Sequence, residues 1–117
     1  METSDRSDVA IEIYQLWKEV YRLWDESQIS GVVSEKSCNM AIDVISKLLA
    51  LVDKEMDPHD YCVALRMRAQ NYCLVKRYDD ALEDLYKERD LDRKLNDYLR
   101  IIKCEELIKQ INDRKAH

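Results

Sequence analysis

This chain of 117 residues contains only one glycine, Gly31, and one proline, Pro58. These are the two residue types that interrupt regular secondary structure most strongly. A β-sheet protein needs such residues at its hairpins, and a dinucleotide-binding or P-loop site needs several glycines at fixed spacing. Their scarcity excludes both classes and predicts an all-α fold. Because 46% of the residues are hydrophobic and 37% are charged, we expect one packed helical domain over residues 8–117.

The formal net charge of -5 is unevenly distributed: residues 1–60 carry 13 acidic and 6 basic side chains, and residues 61–117 carry 11 acidic and 13 basic ones. No basic run is dense enough to follow a phosphate backbone, so we expect no nucleic-acid binding. No stretch approaches the ~20 apolar residues of a membrane span, and no leader pattern opens the chain. We therefore expect no membrane partner and a cytoplasmic or nuclear location.

The chain has four cysteines, and none of them forms a CxxC pair with another. Each stands in a helix-like context, so we interpret all four as buried small hydrophobic residues of a reduced intracellular protein. Disulfide pairing is the alternative. The four are Cys38, Cys62, Cys73 and Cys104.

Apolar periodicity predicts a first helix that ends at about Glu26, after a disordered polar tail over residues 1–7 with Ser7 as the N-cap. A loop over residues 27–33 separates it from a second helix, which begins after Ser34 and ends at about Lys54. The expected buried side of the second helix consists of Cys38, Ala41, Ile42, Ile45, Leu48, Leu49 and Val52.

Asp57 followed by Pro58 predicts the start of a third helix, because proline at the first helical position removes no intrahelical hydrogen bond. This helix is expected to end at about Val75. A break over residues 76–78 leads to a fourth helix that ends at about Leu91. A charged connector over residues 92–97 precedes a last, C-terminal capping helix, which is apolar on one side only. Its expected apolar stripe is Tyr98, Ile101, Ile102, Ile108 and Ile111.

The first helix carries two adjacent nonpolar stripes at spacings of three and four residues. We call them the aliphatic stripe (Ile13, Leu16, Val20, Leu23) and the aromatic stripe (Tyr14, Trp17, Tyr21, Trp24). A helix at the end of a stack has neighbours on one side only, so we expect one stripe to pack inward and the other, the aromatic stripe, to meet a partner. The alternative is that the aromatic stripe is also core.

Laying the first two helices over the third and fourth reveals an internal repeat, with an offset of 51 residues in the first pair and 40 in the second. The second unit resembles the tetratricopeptide repeat. Its matching residues are Leu65, Ala69, Tyr72, Tyr78, Ala81 and Leu85, which stand where that family has large, small, aromatic, aromatic, small and large side chains. Arg68, Glu88 and Arg93 depart from the family pattern.

The resemblance implies antiparallel helices, about five in number, stacked as a short repeat with a groove lined by the first helix of each pair. The implied groove positions are Gln15, Glu19, Arg22, Arg66, Met67, Gln70 and Cys73, and Arg100 and Lys103 extend them. Family members that bind chaperone tails have other residues at the sites of Gln15, Glu19 and Met67, so we expect no binding of chaperone tails. The basic groove residues are interpreted as carboxylate ligands or, alternatively, as solvated surface.

The chain offers little for catalysis, because its only histidines are His59 and the terminal His117. His59 and Cys62 lie one turn apart, but no second pair accompanies them as a zinc site needs. A cluster of four carboxylates is interpreted as a solvated helix start, since no glycine turn accompanies it as a calcium loop requires. These are Asp79, Asp80, Glu83 and Asp84. We expect no enzyme activity, cofactor or metal.

The sequence therefore favours a protein-interaction adaptor that binds a peptide or helix of another protein, through the groove, the aromatic stripe or both. The predicted binding residues are Tyr14, Trp17, Tyr21, Trp24, Arg66, Met67, Gln70, Arg100 and Lys103. One alternative is a structural subunit that forms a homodimer through the first helix. A regulatory subunit of an enzyme is a further alternative.

Overall fold

The computed structural model describes residues 2–31 and 34–116, without the side chains of residues 2–6 and 27–30. Within this part of the chain the fold is all-α, as predicted, with five helices. They are α1 (Glu2–Ser30), α2 (Glu35–Leu51), α3 (Pro58–Leu74), α4 (Tyr78–Lys94) and α5 (Tyr98–Lys115). Each helix packs mainly on its neighbours in the chain, so the molecule is an elongated array of 54 × 37 × 20 Å.

α1 extends past both of its predicted ends. It begins at Glu2, so Ser7 lies inside the helix and the predicted N-cap there is wrong, and it continues to Ser30 instead of ending at about Glu26. Disorder of residues 1–7 stays a prediction, and Met1 and the side chains of residues 2–6 lie outside the described part of the chain. Ser34 caps α2 as predicted, since its hydroxyl accepts a 3.0 Å hydrogen bond from the backbone N–H of Ser37.

α3, α4 and α5 begin at residues 58, 78 and 98, a constant step of 20 residues. Pro58 occupies the first turn of α3 as predicted, although the Asp57 side chain makes no capping hydrogen bond. The two connecting turns have the same geometry: Lys76 (φ 63°) and Asn96 (φ 55°) are both left-handed. Such a residue after a helix end is the mark of a Schellman turn.

The hydrogen bonds of the two turns match as well. Arg77 N–H donates to the carbonyl of Tyr72 and Asp97 N–H to that of Asp92, five residues back in each case, at 2.8 and 3.0 Å. The Arg77 guanidinium also lies over the Tyr72 ring, 4.7 Å from its centroid. This cation–π contact replaces the hydrophobic contact that usually accompanies such a turn.

Two of the predicted segments in the C-terminal half are wrong. α4 continues to Lys94, so Asp92 is a helical residue and not part of a connector. In α5, Ile108 and Ile111 are buried, but Tyr98 and Ile102 of the predicted apolar stripe are mostly exposed. Cys104 replaces them on the buried side, because it lies one turn before Ile108 on the face toward α4.

The buried side chains form two hydrophobic clusters joined by α3. The first lies among α1, α2 and α3 and the second among α3, α4 and α5. Ala69 and Ala81 are fully buried in the second, with Tyr72 and Tyr78 packed against it. Small side chains at this contact allow the α3 and α4 backbones to approach closely.

Candidate functional site

Two clefts open on the molecule and share three lining residues, Trp24 of α1 and Gln70 and Leu74 of α3. The first lies among α1, α2 and α3, and the second lies mainly between α3 and α5 and encloses about 250 Å³. We refer to both together as the α1–α3–α5 cleft. The side chains that line its α5 part are Leu107, Gln110, Ile111 and Arg114.

Large apolar side chains stand at the junction of the two clefts. Trp24 is 56% exposed and Leu74 is 54% exposed, which leaves a substantial nonpolar area in water at this position. Isolated exposed apolar residues are common on protein surfaces, but those that border a concave nonpolar cleft mark an interaction site.

The charge of the cleft comes almost entirely from α5. The residues at positions 100, 103, 107, 110, 111 and 114 share one face of this helix by their spacing of three and four. That face carries Arg100, Lys103 and Arg114 and no acidic residue. Arg114 donates a 3.1 Å hydrogen bond to the Cys73 sulfur. The described lining of the cleft is therefore mostly apolar with one basic group, Arg114, and the predicted binding residues Arg100 and Lys103 do not line it.

Three of the predicted groove residues line this cleft, namely Met67, Gln70 and Cys73. Gln15, Glu19 and Arg22 line a separate shallow depression with Lys18. Arg22 is engaged there by hydrogen bonds to Glu19 and Glu26 on its own helix. The resemblance thus placed the α3 residues on the cleft, but not those of α1.

The two stripes of α1 face different surroundings. The aliphatic stripe packs on the first hydrophobic cluster, where Val20 and Leu23 are buried. In the aromatic stripe, Tyr14 is 64% exposed, and Tyr21 and Trp24 are more than half exposed. Trp17 is half-buried against the cluster. Within the described chain, the alternative that the whole aromatic stripe is core therefore holds only for Trp17.

Two buried ion pairs join α3 to α4. The Arg66 Nε and Nη2 atoms donate to the two carboxylate oxygens of Glu88 at 2.6 and 2.8 Å, and Nη2 also donates to the carbonyl of Arg100. Arg68 makes the same two-pronged contact with Asp84 at 2.7 and 2.7 Å and donates to Ser46 Oγ on α2. Glu88 and Asp84 are almost fully buried.

These pairs correct two interpretations and account for two departures from the family pattern. Arg66 is not solvated surface, because its guanidinium binds Glu88 and the Arg100 carbonyl; its role in partner binding stays a prediction. Asp84 is not part of a solvated helix start, since it is buried against Arg68. Arg68 and Glu88, both departures from the tetratricopeptide pattern, are each paired with an opposite charge on the neighbouring helix, Arg68 with Asp84 and Glu88 with Arg66.

A third carboxylate of α4, Asp92, is 0% exposed, and neither of its oxygens has a partner in hydrogen-bond geometry within the described residues. Glu88 on the same helix and Cys62 on α3 face it closely enough to interact electrostatically, and Arg100 on α5 faces it too. Burial, reinforced by the neighbouring Glu88 carboxylate, raises the pKa of Asp92 to about 7.

The two thiols near Asp92 are unreactive. Burial raises the pKa of both Cys62 and Cys104 to about 12, so both remain protonated at neutral pH and are poor nucleophiles and metal ligands. All four cysteines are free thiols; Cys38, Cys62 and Cys104 are buried as predicted, and Cys73 is half-buried.

His59 is exposed and Cys62 is fully buried, so the two do not face a common ligand. Among the described residues, no group of three or more potential ligands is placed to hold a metal ion. None of the helices in that part of the chain combines the length and apolar character required to cross a membrane.

The carboxylate ladder Asp84, Glu88, Asp92 escaped the sequence analysis, although a signal for it exists. The three residues are spaced by four, which places them on one face of α4. Ala81 and Leu85, two residues of the tetratricopeptide match, lie on or beside that face and are buried. Acidic residues that share a helix face with buried nonpolar residues indicate buried ion pairs rather than solvated charge when basic residues are available on the neighbouring helix. Here Arg66 and Arg68 on the preceding helix provide them.

Comparison of the chain with protein-family models, with curated proteins and with solved structures finds no match in any of the three.

Proposed function

We propose that this chain is a non-enzymatic, intracellular protein-interaction module that binds an amphipathic helix or peptide of another protein in the α1–α3–α5 cleft. The observation that carries the proposal is the exposed nonpolar junction formed by Trp24 and Leu74 where the two clefts meet. A partner that covers these side chains removes nonpolar area from water, which is the main favourable contribution to association.

The charges around the cleft favour an acidic partner. Arg114 lines the cleft, and by helical spacing Arg100 and Lys103 lie on the same face of α5 with no acidic residue among them. Arg100 has Asp97 at 3.3 Å, and Lys103 has Glu106 at 4.0 Å. The Lys103 contact is long and exposed, so a carboxylate on the partner can compete for this group, whereas Arg100 stays paired with Asp97. The partner then has nonpolar residues on one face and carboxylates beside them.

The resemblance of α3 and α4 to a tetratricopeptide unit is part of the proposal. The burial of Ala69 and Ala81 at the contact between the two helices supports it, since that family requires small residues there. The constant step of 20 residues from α3 to α5 also fits an array of repeated helices.

A homodimer through α1 is the second candidate, because Tyr14 and Tyr21 remain exposed outside the cleft. They are seven residues apart, so they lie two turns apart on one face of α1, as in a helix-to-helix seam. Molar mass in solution at micromolar concentration separates the two candidates. A monomer excludes the homodimer, and a dimer that Tyr14→Lys with Tyr21→Lys converts to a monomer supports it.

The proposed cleft is tested by capture from a cell extract with the wild-type chain, Leu74→Glu, Arg114→Glu and the control Leu99→Glu. Leu99 is 82% exposed and does not line the cleft. We expect Leu74→Glu to lose specific partners that wild type and Leu99→Glu retain, and Arg114→Glu to weaken them. Binding of the identified partner, measured with the purified proteins, must show the same order. Equal binding by Leu74→Glu and wild type contradicts the proposal.

A further inference from the structure

We propose that Asp92 is a proton-controlled latch between α4 and α5: its neutral carboxyl group lets the two helices close over it, and loss of the proton loosens α5. Detachment of α5 would bring Asp92 into water and release one proton. The latch concerns the helix that supplies one wall of the cleft, but it does not depend on the proposed binding function.

The first argument is the burial of Asp92 without a partner. Both of its carboxylate oxygens are inaccessible to solvent and lack a hydrogen-bond partner within the described residues. A carboxylate in that position is costly, because only the weak Cys62 thiol donor and the charge of Arg100 oppose its loss of hydration, whereas the neutral acid loses far less. Glu88 and Asp84, which are equally buried, each receive two hydrogen bonds from an arginine.

The second argument is the set of groups that face Asp92 from each neighbouring helix. Glu88 faces it from α4, Cys62 and Arg66 face it from α3, and Arg100 and Cys104 face it from α5. The Arg66 guanidinium is already held by Glu88, and Arg100 lies 3.3 Å from Asp97. A second negative charge beside Glu88 therefore has no uncommitted cation to balance it. The raised pKa of Asp92 agrees with this arrangement.

The position of α5 explains why this helix is the one that opens. α5 is the last helix of the array and packs mainly on α4, so fewer contacts hold it than hold α3 or α4. Its cleft-lining residues Leu107, Ile111 and Arg114 would move with it. The latch thus links the state of one buried proton to the shape of the cleft.

The sign of the pH dependence follows from linkage. In the closed form the pKa of Asp92 is raised to about 7 from an ordinary value of 3.8, whereas in the open form the group is solvated. Between these two values only the closed form binds the proton, so closure becomes less favourable as pH rises. The equilibrium constant for closure falls about tenfold per pH unit in this window and levels off above about pH 7.

Hydrogen exchange on the full chain between pH 5 and 8.5 tests the latch, with each rate corrected for the intrinsic pH dependence of exchange. We expect the protection of α5 relative to α2 to fall about tenfold per pH unit up to about pH 7 in wild type. Asp92→Asn keeps the shape and removes the titrating group, so its α5 protection should be independent of pH. Asp90→Asn, an exposed position on the same helix, should behave as wild type.

Infrared spectroscopy of the wild-type chain supplies a second readout that does not require a folded variant. A protonated buried carboxyl group should give a carbonyl absorption at pH 6 that disappears by pH 8.5. The proposal is overturned if the protection of α5 against hydrogen exchange depends on pH in the same way in wild type and Asp92→Asn. It is also overturned if the wild-type chain shows no protonated carboxyl band at pH 6.

Discussion

The guanidinium groups of Arg66 and Arg68 each bind one carboxylate of α4. These bidentate contacts fix how α3 and α4 lie against each other. A buried ion pair adds little net stability over a nonpolar contact of the same size, because both charges lose their hydration. Its effect is larger when one partner is removed, since the remaining charge stays buried. The pairs therefore act chiefly on the specificity of packing.

Removing only the acid of the Arg66–Glu88 pair should therefore cost more than replacing both residues. We expect Glu88→Ala to lower the free energy of unfolding by about 3 kcal/mol, and the double variant Arg66→Met with Glu88→Leu to lower it by less. Urea denaturation measures both. Glu83→Ala is the control, because Glu83 pairs with Lys87 in an exposed position and should cost less than ~1 kcal/mol. Equal losses for Glu88→Ala and Glu83→Ala would contradict the buried pairing.

The candidate site was only partly predictable from single residues. Trp24, Met67, Gln70 and Cys73 follow from periodicity and from the resemblance to tetratricopeptide repeats. The resemblance to tetratricopeptide repeats implies a groove position for Arg66, but its side chain pairs with Glu88 on α4. A charge that pairs across helices cannot be recognised from its own helix alone, since its burial depends on the partner.

At the scale of helices and turns, all five helices and their order were predicted, because apolar periodicity and the Asp57–Pro58 start are strong signals. The predicted end of α4 was wrong, because the charged run that begins at Asp92 was interpreted as a connector, whereas the helix continues to Lys94. Lys76 and Asn96 adopt left-handed conformations without glycine, so the turns lack the usual sequence mark of a helix end. Boundaries were therefore less accurate than the helices themselves.

The two turns allow a matched test of this backbone strain. Lys76→Gly should raise the free energy of unfolding by about 0.5–1 kcal/mol, because glycine adopts a positive φ without a steric penalty. Asn96→Gly should raise it by less, since asparagine tolerates the same conformation better than lysine. Thermal denaturation of both variants provides the comparison. A larger gain for Asn96→Gly than for Lys76→Gly would disagree with this account.

The close contact between α3 and α4 gives a second test at this scale. Ala69 and Ala81 have almost no exposed surface, so Ala69→Leu and Ala81→Leu should each lower the free energy of unfolding by about 1–3 kcal/mol through overpacking. Ala50→Leu is the control because Ala50 is exposed on α2. If chemical denaturation shows all three substitutions to be neutral, the backbones do not approach closely at these alanines.

At the scale of the whole molecule, the helices contact their neighbours in sequence order rather than a common centre. The two hydrophobic clusters share only α3, which contributes Ala64 to one and Ala69 to the other. Stability in such an array depends on nearest-neighbour contacts, so the inner helices are held on two sides and the end helices on one.

This arrangement predicts a gradient of local stability. Amide hydrogens in the centres of α3 and α4 should exchange at least tenfold more slowly than those in the centre of α5 at pH 7, because α5 packs mainly on α4 whereas α3 and α4 each pack on two helices. Exchange measured by NMR or mass spectrometry gives the profile. Uniform protection across the five helices would instead indicate that the array unfolds in a single cooperative step.

The connecting turns before α4 and α5 have the same backbone geometry, and this affects how a chain of this kind can be lengthened. The segment from residue 58 to residue 97 comprises two helices with their turns, and residue 98 opens the next helix in the same backbone geometry. A tandem copy of these 40 residues could be inserted before residue 98, and the existing type of connecting turn would join it to its neighbours. Length is thus an adjustable property of this architecture, and longer versions can arise by duplicating whole helix pairs.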